Sequence, residues 1–229
     1  MNKALWLVAL GGCAQFYPPT ESGSSSTNDR SCAARALIED AEDGDDQILA
    51  HGGRGGYVYT YADEKGTQIA PGNDFGMSRG GAADSHFAIR IKGKLGTDNE
   101  AYAGVGFAMT EPKGPYDASS YDGVSFVARR SAGSTPYLRF KIPDANTDPD
   151  GKICTECYND FGIPFQVTEE WTRYEVKFSE LAQEADWGQP RPAAIDRSKI
   201  YEMQWQVAVP NADFDVWIDD VTFLCNGSD

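Results

Sequence analysis

The strongest constraint on this chain is a period-two alternation of apolar and polar residues, repeated in short runs with turn-forming residues between them. Tyr57-Val58-Tyr59-Thr60-Tyr61 alternates and then turns between Asp63 and Gly66. Runs of the same kind cover His86–Lys92, Tyr102–Met109, Gly123–Arg129, Tyr137–Ile142, Ile163–Val167, Arg173–Phe178, Met203–Val209 and Asp215–Phe223, and Ala36-Leu37-Ile38 opens the series. Alternation over about four to eight residues marks a strand with one face buried. Helical periodicity is nearly absent, apart from one turn at Ser179–Ala185. Ten short strands without a helix of any length predict an all-β chain, an antiparallel sandwich or jelly roll. Twenty-four glycines, twelve prolines and 12% aromatics suit strands joined by tight turns.

Charge narrows the partners. The 229 residues carry 35 Asp plus Glu against 20 Lys plus Arg, a net charge of −15. Nucleic acids and anionic membrane surfaces require a basic footprint, so both are excluded as ligands. Neutral ligands and divalent cations remain.

The N-terminal residues do not read as folded structure. Met1-Asn2-Lys3 is a short basic region, and Ala4 to Leu10 is an apolar stretch too short to span a bilayer. Leu10-Gly11-Gly12-Cys13 resembles the bacterial lipobox, in which the cysteine is acylated after cleavage before it. The alternatives are an ordinary secretory signal and a wrongly assigned start. Residues 14–33 are mostly Pro, Ser, Thr, Gly and other polar residues and read as a flexible tether. The expected organisation is a signal with lipobox over 1–13, this tether, and one β domain over 34–229. The expected location is exported, as an envelope lipoprotein or a secreted protein. Membrane contact would come only through the lipid anchor, and a monomer is expected.

Four further cysteines, Cys32, Cys154, Cys157 and Cys225, form an even set, which in an exported chain reads as disulfides. Cys32 precedes the first strand and Cys225 ends the last, so a sandwich with neighbouring first and last strands would join them. Cys154-Thr155-Glu156-Cys157 has redox or zinc spacing. Zinc would want a second pair or histidines, and His51 and His86 lack ligand spacing. A thioredoxin-like motif would need a helix after it, and Tyr158-Asn159-Asp160-Phe161-Gly162 is not one. A local loop disulfide is the preferred reading.

Alternation also sorts faces. Leu138, Phe140 and Ile142 point to the core, leaving Tyr137, Arg139 and Lys141 on the opposite side; Met203, Trp205 and Val207 likewise leave Gln204 and Gln206 outward. A row of hydrogen-bonding side chains on strand interiors is either a ligand face or a plain solvated one. Trp187 lies in a loop, Ala185-Asp186-Trp187-Gly188-Gln189-Pro190, where an exposed ring could stack on a sugar. Tyr57, Tyr59 and Tyr61 share a strand face, and Tyr158 and Asp160 follow the cysteine pair; the plainer reading is that most of these pack. Asp144-Ala145-Asn146-Thr147-Asp148-Pro149-Asp150-Gly151 resembles the first half of a calcium loop, but Cys157 stands where the twelfth-position Glu belongs. The alternative there is a loop rigidified at the rim of the face.

The order of motifs resembles family-11-like carbohydrate-binding modules and related galactose-binding-like jelly rolls. The resemblance rests on Ile38-Glu39-Asp40-Ala41-Glu42-Asp43-Gly44, on Tyr116–Phe126, on Trp171–Leu181 and on the closing Phe214-Asp215-Val216-Trp217-Ile218-Asp219-Asp220-Val221-Thr222-Phe223, and spans Ala36 to Leu224. It implies a β-jelly roll that binds β-glucan in a concave, tyrosine-rich cleft. No tyrosine of this chain is assigned to that cleft by the resemblance. It also implies a structural Ca²⁺ between the first-strand exit and the closing strand, from Glu39, Asp40 or Glu42 with Asp219 or Asp220.

The expectation is therefore non-catalytic binding of a neutral polysaccharide such as a β-glucan. Arg139, Lys141, Gln204 and Gln206 would lie on one concave face, with Asp144 and Trp187 at its rim. The competing classes are an envelope adhesion or structural protein and a glycoside hydrolase using paired carboxylates. With 35 acids, some pair at hydrolytic spacing is inevitable, and neither histidine has a general-base setting.

Overall fold

A computed structural model describes residues 27–225 of the chain. The signal segment, Cys13 and most of the tether lie outside the described residues. The described part opens on a helix, α1 (Thr27–Ala36), where the sequence carries no helical pattern. Twelve strands follow: β1 (Leu37–Glu39), β2 (Val58–Ala62), β3 (Gln68–Ala70), β4 (Ser78–Arg79), β5 (Phe87–Lys94), β6 (Ala103–Ala108), β7 (Tyr121–Arg130), β8 (Tyr137–Ile142), β9 (Phe161–Gln166), β10 (Thr172–Lys177), β11 (Glu202–Val207) and β12 (Asp213–Cys225). The ten strands expected from alternation are all present. The additions, β3 and β4, are too short for period two to register.

All pairings are antiparallel. Seven strands form one sheet in the order β10-β7-β12-β5-β3, with β1 also on β12 and β4 on β5. Five form the other, β2-β6-β11-β8-β9. The 13-residue β12 spans the first sheet: Asp213–Ile218 pair with β5, and beyond an irregularity at Asp219–Thr222 its second half meets β1.

The core fills the gap between the sheets. Val124, Phe126, Ala128, Ile89, Ile91 and Ile218 from the larger sheet face Val105, Phe107, Phe140, Trp205 and Val207 from the smaller one, all fully buried. Phe126 meets Trp205 edge-on at 5.3 Å and Phe140 at 5.5 Å, so one ring ties both layers. Truncating such an aromatic to alanine costs about 3–5 kcal/mol.

Both cysteine pairs are disulfides. Cys32 of α1 joins Cys225 at the end of β12, with Cα atoms 5.9 Å apart. Cys154 joins Cys157 within its own loop, as expected for a local bridge. Arg54 adds a polar tie beside the first: it donates to the Arg35 and Leu37 carbonyls and to the Tyr116 hydroxyl, and lies 5.3 Å from the Phe223 ring centre.

Candidate functional site

Register decides which outward side chains of the five-stranded sheet become neighbours. Tyr61, Gly104, Gln206, Arg139 and Pro164 lie in one row across it, and Tyr59, Gly106, Gln204, Lys141 and Gly162 in the next. The four polar residues expected to share a face do share one, on the adjacent strands β8 and β11.

Their surroundings differ from the expectation of open donors. Lys141 is buried, and its ammonium sits 2.9 Å from Asp160 Oδ2. Arg139 pairs with Glu184 at 3.1 Å and donates to the Asp160 carbonyl. Gln204 is also buried, and its amide donates to the Tyr59 hydroxyl and to Glu202. Three of the four therefore hold neighbouring groups in place. Gln206 alone makes no hydrogen bond through its side chain among the described residues, and it is part-exposed.

The residues that sequence reasoning undervalued are the tyrosines. Tyr57, Tyr59, Tyr61 and Tyr102 form a run of tilted rings with centres 5.9, 6.1 and 6.2 Å apart. Tyr59 and Tyr61 reach across β6 because its outward positions are glycine. A Cβ at Gly106 would stand 2.4 Å from the Tyr59 ring, and one at Gly104 2.5 Å from the Tyr61 ring. Two glycines spaced i, i+2 on one strand leave a trench for rings from the next strand. That spacing, Gly104 with Gly106, was the readable signal.

Tyr59 ends on Glu202, to which its hydroxyl donates at 2.6 Å, and Lys113 binds the other Glu202 oxygen at 2.8 Å. Lys113 also contacts Asp148 at 2.8 Å. Burial works against the Lys113 ammonium, but the Asp148 and Glu202 carboxylates outweigh it and raise its pKa. Burial, reinforced by Glu202, pushes the Tyr59 phenol well above its usual range; burial and the Asp160 charge do the same at Tyr61. Both phenols are neutral, so they can donate or accept a hydrogen bond. Lys113, Lys141 and Arg139 each face a carboxylate. The surface thus presents aromatic area whose cations Lys113, Lys141 and Arg139 are all matched by carboxylates.

Asp144 is not on the rim. It is fully buried, and its carboxylate accepts from the Asn146 amide groups and from the Asp196 N–H, closing the turn after β8. The rest of the calcium-loop resemblance dissolves similarly: Asp148 accepts from the Asp150 N–H and pairs with Lys113, and Pro149–Gly151 form a 3-10 turn. Short carboxylates reach their own backbone more readily than a common centre. Trp187 does lie at the β9 edge, exposed, its indole N–H donating to Glu184.

The five acids expected to hold calcium are divided. Glu39 is fully buried, with Oε1 accepting from the Ala41 N–H and Oε2 without a partner. Burial, helped by Asp43, Asp40 and Asp45, pushes its pKa up to about 8. Asp219 is also buried, accepting from Ala82 and Asp220 N–H groups, and burial with Asp220 and Glu42 nearby raises it to about 6. Asp220 is part-exposed and raised in the same direction by burial and by Asp40. Glu42 is taken by the His86 and Phe87 N–H groups and the His86 ring, a staple from the first-strand exit to β5. Among the described residues no three carboxylate, imidazole or thiolate groups converge as a metal site. The carboxyls of the expected first-to-last-strand set do not converge on one point; Asp40 accepts from the Glu42 N–H, while Glu39 Oε2 and the Asp220 carboxyl make no hydrogen bond among the described residues. The remaining ligands of a Ca²⁺ there would be carbonyls or water.

Gly76-Met77-Ser78-Arg79-Gly80 has the spacing of a nucleophile elbow. Ser78 lies instead in the two-residue β4, opposite Ala88, rather than on a strand-to-helix turn. His86 is engaged with Glu42 and His51 with the Ala34 carbonyl, and no hydrogen bond joins either to Ser78.

Searches of family models and of curated proteins return no match to this chain. Solved structures do match. A family 11 carbohydrate-binding module from Clostridium thermocellum, in complex with a β-1,3-1,4-mixed-linked tetrasaccharide, aligns over 83% of this chain and 95% of its own. Its TM-score is 0.57 at 17% identity. A family 30 carbohydrate-binding module aligns over 85% and 89%, with TM-score 0.58 at 10% identity. An exo-β-agarase matches 83% of this chain with 25% of its own length, with TM-score 0.52 at 15% identity. At these identities the likeness is one of fold: the chain is a two-sheet β-jelly roll of the kind seen in family 11 and family 30 carbohydrate-binding modules.

Proposed function

We propose that the five-stranded face binds a neutral polysaccharide, with a β-glucan as the specific reading, and performs no chemistry on it. The supporting observation is the tyrosine run Tyr57, Tyr59, Tyr61 and Tyr102 over Gly104 and Gly106. Rings laid along a sheet offer apolar area to sugar C–H faces, while Gln206 and the phenol of the exposed Tyr102 serve the hydroxyls. The cations of the face are paired with carboxylates, which disfavours an anionic sugar. The same pairing speaks against hydrolysis: Glu202, Asp160 and Glu184 are each occupied by a cation. The solved carbohydrate-binding modules of this fold, one with a mixed-linked tetrasaccharide bound, favour the same ligand class.

Export is the companion reading, supported by two disulfides. No helix among the described residues is long and apolar enough to cross a membrane; acylation at Cys13 rests on the sequence motif.

Electrophoresis through gels containing mixed-linked β-glucan, with reducing sugar measured in parallel, tests the proposal. Retardation without sugar release is expected, together with loss of retardation in Tyr61→Ala. Unretarded migration of the wild type, or release of sugar, overturns it.

A further inference from the structure

Large hydrophobic side chains exposed among the described residues are Tyr102, Tyr137, Ile153, Tyr158 and Trp187, and none lies on the seven-stranded sheet. Tyr102 belongs to the tyrosine run and Tyr137 begins β8 on the outward side. The other three sit on two loops at the opposite edge of the small sheet, beside β9.

Those loops are built as one unit. Thr155 N–H donates to the Gln189 carbonyl, and Gln189 N–H to the Glu156 carbonyl, both at 3.0 Å. The buried Asn159 amide donates to the Glu184 and Trp187 carbonyls, while its own oxygen accepts the Glu184 N–H. The Cys154–Cys157 disulfide closes the first loop. Tyr158 follows it at φ 74°, a left-handed conformation disfavoured for a tyrosine, and the residue is 66% exposed. Nothing in the core gains from that exposure.

The unit is also tied to the candidate face. Trp187 donates to one Glu184 oxygen, and the other Glu184 oxygen pairs with Arg139 on β8. Four interstrand steps of about 4.8 Å put β2 and β9 about 19 Å apart. A ligand that runs from the β2 end of the tyrosine run to the loops must therefore cross the strands and be longer than a disaccharide.

We propose that Ile153, Tyr158 and Trp187 form a platform that extends the glycan-binding face beyond β9, contacting the far end of a neutral oligosaccharide seated on the tyrosines. This rests on the reading above and adds the direction of the chain and its minimum length. Continuity through Glu184 and Arg139, and the pairing of the charges between platform and tyrosines, select a neutral sugar chain as the occupant. A second copy of the protein is the competing occupant.

The test titrates the protein calorimetrically with mixed-linked β-gluco-oligosaccharides, comparing a disaccharide, a tetrasaccharide and a hexasaccharide. Wild type is expected to gain affinity up to the longer chains. Trp187→Ala and Tyr158→Ala should each shrink the hexasaccharide-to-disaccharide affinity ratio about tenfold, whereas Trp187→Tyr, which keeps a ring, retains most of it. Joint Cys154→Ser and Cys157→Ser replacement should shrink it as well, by freeing the loop. An unchanged ratio in all of these variants overturns the platform. So does a change in sedimentation of the variants without a change in ratio, which would mark a contact between copies. Failure of wild type to bind any of the oligosaccharides overturns the β-glucan reading itself.

Discussion

Tyr59 and Glu202 meet across the strand that separates them. The Tyr59 ring spans β6 above Gly106, and its hydroxyl donates to Glu202 Oε2 at 2.6 Å on β11. The contact is possible only because Gly106 has no side chain. Gly106→Ala would place a methyl 2.4 Å from the ring and displace it. We expect this variant to fold, to lose about 1–3 kcal/mol through the lost Tyr59–Glu202 hydrogen bond and the strained floor, and to lose glucan retardation as Tyr61→Ala does. Urea titration and gel retardation measure the two effects. A variant that keeps full retardation would show that the ring's position is unimportant.

The Cys32–Cys225 bridge closes a loop of 193 residues. On chain-entropy grounds its removal should cost up to about 5 kcal/mol, with measured losses commonly smaller. Joint Cys32→Ser and Cys225→Ser replacement should lower the urea midpoint strongly without changing the glycan face. Free thiols at both positions in the exported protein, found by non-reducing peptide mapping, would contradict the pairing.

Calcium is proposed at the first-strand exit, with Glu39 as a donor. Binding to the native state alone raises stability with the logarithm of ligand concentration. The melting temperature should therefore rise with added calcium and fall in EDTA, and Glu39→Gln should abolish the response. Equal melting temperatures of the wild type in calcium and in EDTA would remove the ion from the account.

Asp215 gives an acid response of known sign. Burial raises its pKa, but the bidentate Arg90 guanidinium, at 2.6 and 2.8 Å, outweighs that and leaves it below the ordinary 3.8. A depressed folded-state pKa adds stability that is present above the unfolded value and lost as pH falls through the folded one. The stability difference between wild type and Asp215→Asn should thus be constant near neutrality and shrink below about pH 3.8. Denaturant midpoints across that window measure it; a difference that grows on acidification would reverse the sign assigned here.

Strand identity and facing were properties of the sequence by itself, because period two is local: Phe140 between Arg139 and Lys141 can be buried only if its neighbours point outward. The two disulfides were legible for a related reason, since Cys32 and Cys225 bracket the strand pattern and Cys154 and Cys157 are three residues apart. Tertiary structure decided which outward residues meet. Strand order is non-local, and only the placement of β6 between β2 and β11 turns Gly104 and Gly106 into the floor beneath Tyr61 and Tyr59. It also decided which polar groups remain free. Lys141 read as an open donor until folding set Asp160 2.9 Å away, and Asp144 read as a rim carboxylate until the turn closed over it. Charges far apart in the chain find each other only once the backbone has brought them together, and the partners they find are not encoded in any one segment.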